Sequence, residues 1–471
     1  MTTFSFILQE SHHEELTALL DSPDGVERAA YLLCGEVAIT TDPWDRRAHR
    51  KFLSHEIIRI SDEEVVSTSR VHITWSTASF VRALRRAQQE GLVLAVIHSH
   101  PGGKAQFSEQ DDANEADLWQ LARNRNGDDT ALISIVTDGR GGMAGRVWLD
   151  RTAWEPFRMI RTVGNRVSLL YPDRGYGSVS EVFQRQVLAF GAALGQDLSQ
   201  LRVGIVGCGG TGSATAMLLA RLGVGQIALF DDDIVERTNL NRLHGARQSD
   251  ADAMRAKVEV VAREIAALGL GIRALPFKAW IGDPSCRDAL KSCDVVFGCT
   301  DDHDGRTLLN RFAYFYLVPV IDMGLAIEVG KEEPPRILAL DGRVTVLLPG
   351  HTCLLCRSVI DPSVARAEAL RRMNPAEYER QKREAYVAGE GNPAPAVVTF
   401  TTEVALMAVN ELVHRMQGFR GPNGATANRV RKFHLCEDRR PGAKVNEHCP
   451  VCISKTYWGR GDVEPFLDRV G

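Results

Sequence analysis

The sequence lacks any uninterrupted apolar run approaching the roughly 18 residues that a membrane-spanning helix requires. Its first residues contain no basic segment followed by an apolar one, so no secretory signal is predicted and the cytoplasm is the expected location. The sequence also lacks an excess of either charge, because 56 Lys and Arg stand against 60 Asp and Glu and give a formal net charge of −4. This balance argues against nucleic acid or an anionic membrane surface as the main partner.

The chain does contain enough apolar material for more than one hydrophobic core. It has 471 residues, 44% of them hydrophobic, and about 150 residues per domain would give about three units. A turn-rich stretch at 171–177 favours a boundary there, and the motifs described below indicate two functional domains. We predict a first domain at 1–155, a linker at 156–180 and a second domain at 181–471, with a charged insertion at about 361–392.

Apolar strands and helices alternate after the predicted boundary. The predicted elements there are strand 201–206, helix 213–222, strand 226–230, helix 255–268, strand 294–299, helix 306–317 and strand 319–322. This alternation predicts an α/β fold with a parallel sheet and crossover helices. The first domain is also predicted to be α/β, with strands 92–97 and 131–137 and helices 79–90 and 109–123.

Two histidines, a serine and an aspartate follow the predicted strand 92–97 at short spacing. His98 and His100 lie two residues apart on an extended strand end, so their side chains point to one face. Ser108 and Asp111 lie at the start of the next helix, from which the aspartate can reach back to the histidines. An isolated H-x-H is more often a pair of surface histidines. Two His and one Asp, however, favour zinc, and three protein ligands leave the open position of a catalytic site.

The pattern H-x-H-x(7)-S-x(2)-D resembles that of the JAMM (JAB/MPN) metalloprotease family, over about residues 5–150. Members of that family cleave peptide or isopeptide bonds after ubiquitin-like tails. The resemblance implies a catalytic zinc ion with the ligands His98, His100 and Asp111. It also implies that Ser108 donates a hydrogen bond to the tetrahedral oxyanion and that a glutamate at the head of a strand ending in glycine is the general base. Glu27 fits that description best, and Glu36 is the second choice.

A glycine-rich turn joins a predicted strand to a predicted helix in the second domain. Its glycines are Gly207, Gly209, Gly210 and Gly212. Such turns bring backbone N–H groups close to phosphates, and the helix N-terminus adds positive potential. The turn alone would indicate NAD as readily as ATP. The polar residues that follow it are more selective, and they are Asp231, Asp233, Asn239, Arg242, Lys257 and Asp301.

Together these elements resemble the ubiquitin-activating-enzyme superfamily, which includes the ThiF and MoeB adenylyltransferases, over about residues 178–455. The resemblance implies that the glycines form the ATP-binding loop, that Asp231 caps the ribose hydroxyls and that Asp233 is the second acid of the same element. The residues that it implies for holding the triphosphate and stabilising the departing pyrophosphate are Asn239, Arg242 and Lys257. Asp301 would position Mg²⁺.

One further residue carries an implication about assembly. Arg185 resembles an arginine of the superfamily's entry helix, which reaches the ATP of the partner subunit. The resemblance therefore implies a homodimer formed through the adenylation domain.

Four of the ten cysteines form two C-x-x-C pairs. The pairs are Cys353 with Cys356 and Cys449 with Cys452. The tight spacing in both pairs favours a closed tetrahedral site in which four thiolates hold one structural zinc, and many members of the same superfamily have pairs at these places. A redox-active pair is the alternative, but the thioredoxin-like context that it needs is absent from the sequence.

Many relatives carry a catalytic cysteine, shortly after the first pair, that takes the activated tail as a thioester. The comparable segment here, 386–395, contains no cysteine, and none occurs between Cys356 and Cys436. Cys436 is more often a structural neighbour of the second zinc pair. The sequence therefore allows the adenylate to pass directly to a carrier or to a conjugating enzyme.

The leading hypothesis is a bifunctional enzyme that adenylates the C-terminal glycine of a ubiquitin-like protein and cleaves bonds after that tail. The implied cofactors are ATP, Mg²⁺ and two Zn²⁺ ions, one catalytic and one structural. The implied partners are a ubiquitin-like protein ending in glycine, a conjugating-enzyme-like protein and a second copy of the chain. The alternatives are sulfur-carrier activation for cofactor or cysteine synthesis, a scaffold with an inactive site, and adenylation of a short peptide or small molecule.

Overall fold

The structure, a computed structural model, describes residues 2–172, 180–383 and 395–462. The chain divides into two compact units. Unit 1 contains the described residues up to 172 together with 315–317 and 456–462, and unit 2 contains the other described residues. Within these described residues, no helix is both long enough and apolar enough to cross a membrane.

Unit 1 is built on one mixed sheet. Its strands are β1 (Thr3–Gln9), β2 (Ala29–Ile39), β3 (His49–Arg59), β4 (Val65–Thr68), β5 (Ile73–Trp75), β6 (Val93–Ser99), β7 (Leu132–Thr137), β8 (Met143–Trp148), β9 (Trp154–Pro156), β10 (Met159–Val163) and β11 (Val167–Leu170). Its helices are α1 (Glu10–Leu20), α2 (Thr77–Glu90) and α3 (Glu109–Asn126). Among the described residues the sheet order is β11-β10-β1-β3-β2-β6-β7-β8-β9, and β4 and β5 form a separate hairpin.

Strand β6 shows how the sequence places the sheet between two helical layers. Side chains alternate along a strand, so Ala95 and Ile97 join the core packed against α1, whereas Leu94 and Val96 face α2 and α3. Both faces are therefore apolar, as expected of a fully covered strand. His98 continues the row that faces α3, which places its side chain beside the start of that helix.

The end of unit 1 differs from the sequence-based prediction. Residues 156–180 were predicted as a linker, but β10 and β11 belong to the sheet, and β10 pairs in parallel with β1. The segment 456–462, predicted in the second domain, also lies in unit 1, where Gly461 forms a bridge with Glu36. Both errors have one cause: these pairings join residues far apart in sequence, which local composition does not report. Residues 173–179, including most of the predicted turn-rich boundary, lie outside the described residues.

Unit 2 is built on a second mixed sheet. Its strands are β12 (Arg202–Val206), β13 (Gln226–Phe230), β14 (Arg273–Phe277), β15 (Val295–Gly298), β16 (Val320–Val329), β17 (Ile337–Leu347), β18 (Asn428–Lys432) and β19 (Glu437–Arg439). Its helices are α4 (Gln184–Phe190), α5 (Ala192–Gln200), α6 (Gly210–Leu222), α7 (Gln248–Asp252), α8 (Lys257–Ala267), α9 (Arg287–Ser292), α10 (His303–Phe315), α11 (Pro362–Met373), α12 (Pro375–Arg383) and α13 (Val398–Gln417).

The strand order in the described part of unit 2 is β14-β13-β12-β15-β16-β17-β18-β19. The first five strands are parallel and are joined by helices, which confirms the predicted α/β class. The remaining three are antiparallel, so the sheet is mixed and not wholly parallel as predicted. Antiparallel neighbours need no crossover helix, and the alternation of strands and helices therefore could not reveal them.

The charged insertion predicted at 361–392 is helical where it is described. Helices α11 and α12 occupy most of the segment before 384, and α11 begins with an N-cap at Asp361. Residues 384–394 lie outside the described residues, and so does most of the segment 386–395 in which the thioester cysteine was sought.

Candidate active sites

The predicted zinc ligands of unit 1 meet at the carboxyl end of β6. The Nε2 atoms of His98 and His100 lie 3.1 Å apart. Asp111 reaches back from α3, with Oδ1 3.2 Å from Nε2 of His98 and Oδ2 3.5 Å from Nε2 of His100. One ligand atom from each residue lies within 4.8 Å of the other two. These separations are close to the roughly 3.3 Å that joins neighbouring ligands around a tetrahedral zinc, so the three residues fit the ion.

The start of α3 fixes the aspartate. Ser108 is the N-cap: its Oγ accepts a hydrogen bond from the backbone N–H of Asp111, and its own N–H donates to Oδ2 of Asp111 at 2.7 Å. This capping box orients the carboxylate toward the histidines. Burial alone would raise the pKa of Asp111, but hydrogen bonds from His100 and His98 outweigh it and hold that pKa well below its usual range. The carboxylate is therefore ionised, as a metal ligand must be.

Glu27, the predicted general base, lies beside these ligands. Strands β2 and β6 are antiparallel with Ala29 opposite His98, so the residue two positions before Ala29 falls next to His100. Oε1 of Glu27 is 3.7 Å from Nε2 of His100, and the residue is only 5% exposed. Burial raises the pKa of Glu27, which suits a carboxylate that must take up a proton.

The second choice for the base, Glu36, lies elsewhere. Its carboxylate forms a two-bond ion pair with Arg50 on the neighbouring strand β3. Strand β2 also runs on to Ile39 instead of ending at Gly35 as predicted. Glu36 is therefore an ordinary strand residue, and only Glu27 has the position of a base.

Sequence reasoning missed a buried arginine that supports α3. Arg146 on β8 is 1% exposed, and its guanidinium donates to Asp112 at 2.5 Å and to Glu115 at 2.8 Å. The same guanidinium lies 3.8 Å from the ring centre of Phe107. Because Asp112 and Glu115 belong to the first two turns of α3, Arg146 anchors the helix that carries Asp111. Because Arg146 lies far along the chain from the H-x-H motif, no local sequence pattern links it to α3.

The glycine-rich turn of unit 2 has the compact form that close packing requires. A Cβ at Gly212 would lie 1.8 Å from the carbonyl oxygen of Gly207, and Gly207 itself has a φ of +90°. A Cβ at Gly209, in contrast, would meet nothing within 4 Å, so the space above the turn is open. Helix α6 starts at Gly210, so the positive end of its dipole lies at this turn, as phosphate binding requires.

The predicted acids and the lysine form one chain of contacts beside this turn. Asp231 accepts backbone hydrogen bonds from Cys208 at 2.6 Å and from Asp233 at 2.9 Å. Nζ of Lys257 donates to Oδ2 of Asp233 at 2.6 Å. Burial alone would lower the pKa of Lys257, but the charges of Asp231, Asp233 and Asp301 outweigh it and raise that pKa. Lys257 is thus a fixed cation at the turn.

The other predicted triphosphate ligands lie on the segment after β13. Asn239 is 8% exposed, and its Oδ1 accepts from the backbone N–H of Glu236 at 3.1 Å. Arg242 packs its stem against the turn, since a Cβ at Gly210 would lie 3.4 Å from its Cβ, and its guanidinium donates to the carbonyl of Thr238 at 2.5 Å. The structure therefore brings Arg242 and Lys257 to the same glycine-rich turn.

Asp301, the acid predicted to position Mg²⁺, is exposed, whereas its neighbour Asp302 is half-buried and accepts hydrogen bonds. Asp302 accepts from Nε1 of Trp280 at 2.7 Å and from Arg372 at 3.4 Å. Arg372 of α11 also binds Asp304 at 2.5 Å and lies 4.1 Å from the centre of the Trp280 ring. Helix α11 thus holds the start of α10 and leaves Asp301 available. Sequence reasoning missed this cluster because its members come from three separate segments.

Arg185, predicted to reach a partner's nucleotide, lies on α4 and is exposed. An exposed position is compatible with a role in a second subunit, and the role itself stays a prediction.

The two C-x-x-C pairs come together in unit 2. Sγ of Cys353 lies 3.7 Å from Sγ of Cys449, and Sγ of Cys356 lies 3.8 Å from Sγ of Cys452. Four sulfurs at 2.3 Å from a zinc ion in a tetrahedron would be about 3.8 Å apart, so the donor set and its spacing fit one closed zinc site. Within the cluster, a hydrogen bond from Cys452 lowers the pKa of Cys353 to about 5, whereas burial raises the pKa of Cys356 and the hydrogen bond to Cys353 raises that of Cys452.

Two family profiles match the chain. The profile of prokaryotic homologs of the JAB domain matches residues 9–148, and that of the ThiF family matches 183–452, more than half of the chain. The chain belongs to the ThiF family. It carries a JAB-like domain ahead of the ThiF domain, and the fusion that the sequence motifs resemble is thereby confirmed.

Curated relatives match part of this chain over part of their own length. The SAMP-activating enzyme E1 of Haloferax volcanii is 30% identical over 155 residues, which are 33% of this chain and 52% of that protein. The molybdopterin-synthase adenylyltransferase of Salmonella typhimurium is 34% identical over 181 residues, which are 36% of this chain and 66% of that protein. The chain thus spans between about half and two thirds of the length of these relatives.

Among solved structures, E. coli MccB is similar at 18% identity with a TM-score of 0.44, covering 60% of this chain and 75% of that one. Similarity at this level implies nothing about the substrate of the present chain.

Proposed function

We propose that this protein is a bifunctional enzyme that activates the C-terminal glycine of a ubiquitin-like protein with ATP and cleaves peptide or isopeptide bonds after that same tail. The observation that carries the proposal is that each unit holds its own set of convergent polar groups. His98, His100, Asp111 and Glu27 meet in unit 1, and Arg242, Lys257 and Asp301 flank a glycine-rich turn in unit 2.

In the adenylation step, a carboxylate attacks the α-phosphorus of ATP while negative charge grows on the departing pyrophosphate. Fixed cations lower the free energy of such a transition state because they need no reorganisation during the reaction. Lys257 and Arg242 supply those cations, the first N–H groups of α6 hold phosphate oxygens, and Asp301 is the exposed acid for Mg²⁺. Asp231 is half-buried beside the turn, where it can accept from ribose hydroxyls.

In the cleavage step, a bound zinc ion supplies a Lewis acid and makes water a stronger nucleophile at neutral pH. Glu27 takes the proton of the attacking water and passes it to the leaving amine, a role that its buried position favours. Ser108 is exposed at the N-cap of α3 and its hydroxyl donates to Oδ2 of Asp111 at 2.8 Å; rotation of that hydroxyl toward the substrate would let it donate to the developing oxyanion.

The proposed partners are those that the family resemblance implies. The substrate is a flexible tail ending in glycine, and a conjugating-enzyme-like protein or a carrier receives the activated tail. Arg185 on α4 reaches the nucleotide of a second copy, which makes the working form a homodimer.

The test measures exchange of pyrophosphate into ATP by the purified protein. We expect exchange when a ubiquitin-like protein that ends in glycine is present, and none when its terminal glycine is removed. The lack of exchange with every such partner would refute the adenylation half. Cleavage of an extended form of the same partner by the wild-type protein, but not by Glu27→Gln, tests the other half.

A second candidate is activation of a sulfur-carrier protein for cofactor or cysteine synthesis. It is favoured by the names of the relatives, which include a molybdopterin-synthase adenylyltransferase and the adenylyltransferase and sulfurtransferase UBA4 of Meyerozyma guilliermondii. Mass spectrometry of the partner separates the two: a thiocarboxylate at its C-terminus supports sulfur transfer, and an isopeptide-linked product supports conjugation.

A further inference from the structure

A hydroxyl and an imidazole meet beside the glycine-rich turn of unit 2. Nε2 of His244 lies 3.0 Å from Oγ1 of Thr402, in the first turns of α13, and both residues are partly exposed. With the ring proton on Nδ1, Nε2 accepts the hydrogen of the Thr402 hydroxyl. A hydroxyl bonded to a neutral imidazole is the arrangement that activates oxygen nucleophiles in acyl transfer.

Three contacts locate this pair at the glycine-rich turn. The backbone N–H of His244 donates to Oγ of Ser213 at 3.0 Å, and Ser213 belongs to the first turn of α6. A Cβ at Gly210 would lie 3.3 Å from Oγ1 of Thr401, the residue that precedes Thr402. The same Gly210 touches the stem of Arg242, two residues before His244. The pair therefore lies next to the glycine-rich turn.

The imidazole is suited to act as a base. Burial lowers the pKa of His244, so the ring is neutral near pH 7 and can take up a proton.

The thiols of the chain offer no comparable nucleophile. Four cysteines form the closed cluster, and a further four are buried: Cys34, Cys208, Cys286 and Cys293. Burial raises the pKa of Cys299, which opposes the thiolate form. Cys436 is exposed, and none of the hydrogen bonds found in the described residues links it to an imidazole or another base.

We propose that Thr402, with His244 as its general base, takes the activated tail from the adenylate as an oxyester. This inference rests on the proposed adenylation. The Thr402 oxygen attacks the carbonyl carbon of the acyl-adenylate while its proton moves to Nε2 of His244. The bond between that carbon and the phosphate oxygen breaks, and AMP leaves with the electron pair. The product is an ester on Thr402, from which an amine or thiol of the next carrier takes the acyl group.

The experiment supplies the full-length protein with chemically prepared N-acetyl-glycyl-glycyl adenylate and follows the intact mass. We expect one added acyl group that resists dithiothreitol, is released by alkali and maps to the peptide containing Thr402. Thr402→Val preserves the shape and removes the hydroxyl, so it should abolish the adduct, whereas Thr402→Ser should retain it. His244→Gln should slow the acylation by roughly 10²–10⁴-fold.

Thr399→Val is the matched control, because Thr399 is exposed on the first turn of the same helix, and it should acylate like the wild type. An adduct that persists in Thr402→Val, a thiol-labile adduct on Cys436, or no adduct on the wild type would each overturn the proposal. The proposed function would fail separately, if no ubiquitin-like protein supported pyrophosphate exchange while the prepared adenylate still acylated Thr402.

Discussion

Two clusters whose side chains are spaced to hold a metal ion differ in ligand number and in what surrounds them. In unit 2, four thiols from two C-x-x-C pairs are spaced as a complete tetrahedron. In unit 1, two imidazoles and one carboxylate supply three ligands, with Glu27 adjacent to them. A tetrahedral ion has no open position in the first cluster and one in the second. Ligand number, together with a neighbouring proton acceptor, thus distinguishes a structural metal site from a catalytic one.

The strongest test of this comparison removes a ligand from the closed cluster. Cys353→Ser should lose one zinc per chain and strongly destabilise unit 2, because binding at a structural zinc site contributes roughly 10 kcal/mol to folding. Elemental analysis and thermal unfolding measure the two effects. Cys436→Ser is the control, since Cys436 is exposed and outside the cluster, and it should change neither quantity. Undiminished zinc content in Cys353→Ser would contradict the assignment.

The second test keeps the three metal ligands of unit 1 and removes the adjacent base, Glu27. Glu27→Gln should retain zinc but lower the rate of tail cleavage by about 10²–10⁴-fold, because the amide cannot accept a proton. Cleavage of an extended ubiquitin-like partner is followed by mass spectrometry, with zinc content measured on the same sample. Glu36→Gln, on the same strand but paired with Arg50, should cleave normally. Equal loss in both variants would show that Glu27 has no special role.

The third test asks whether Lys257 contributes to the adenylation reaction and not to the stability of unit 2. Lys257→Ala should reduce pyrophosphate exchange by about 10²–10³-fold, because the variant lacks the fixed positive charge that stabilises the departing pyrophosphate. The thermal unfolding temperature should change little, which separates the effect from that of Cys353→Ser. Lys331→Ala, exposed between β16 and β17, is the control. Exchange at the wild-type rate in Lys257→Ala would remove Lys257 from the site.

The smallest expected effect concerns the glycine-rich turn. Gly212→Ala places a Cβ 1.8 Å from the carbonyl oxygen of Gly207 and should lower the free energy of unfolding by about 1–3 kcal/mol. Gly209→Ala adds the same atom where nothing lies within 4 Å and at a φ of −75°, so its stability should match the wild type. Urea unfolding compares the two, and equal destabilisation would contradict the described packing.

The sequence predicted both clusters because their ligands are close together along the chain or in repeated pairs. His98, His100 and Asp111 lie within 14 residues, and helix α3 with its N-cap at Ser108 carries the aspartate back to the strand. The strands and helices that were predicted begin within a few residues of their observed starts for the same reason, although the strand predicted at 319–322 runs on to Val329. Alternation and capping are properties of short segments.

The rest depended on contacts between distant segments. No sequence motif identifies Arg146, which anchors α3. The same holds for the cluster of Trp280, Asp302 and Arg372. From the sequence alone, each of these residues resembles an ordinary surface or core residue. The placement of β10 and of 456–462 in unit 1 likewise depends on pairing across the sheet. Packing decides such positions, and packing is known only once the fold is known.

We propose that one chain both trims and activates the same tail. Pyrophosphate exchange driven by a ubiquitin-like partner extended beyond its glycine tests it most directly. We expect the wild type to exchange with the extended and the mature forms, and Glu27→Gln to exchange with the mature form alone. Exchange by Glu27→Gln with the extended form at the wild-type rate would contradict the account.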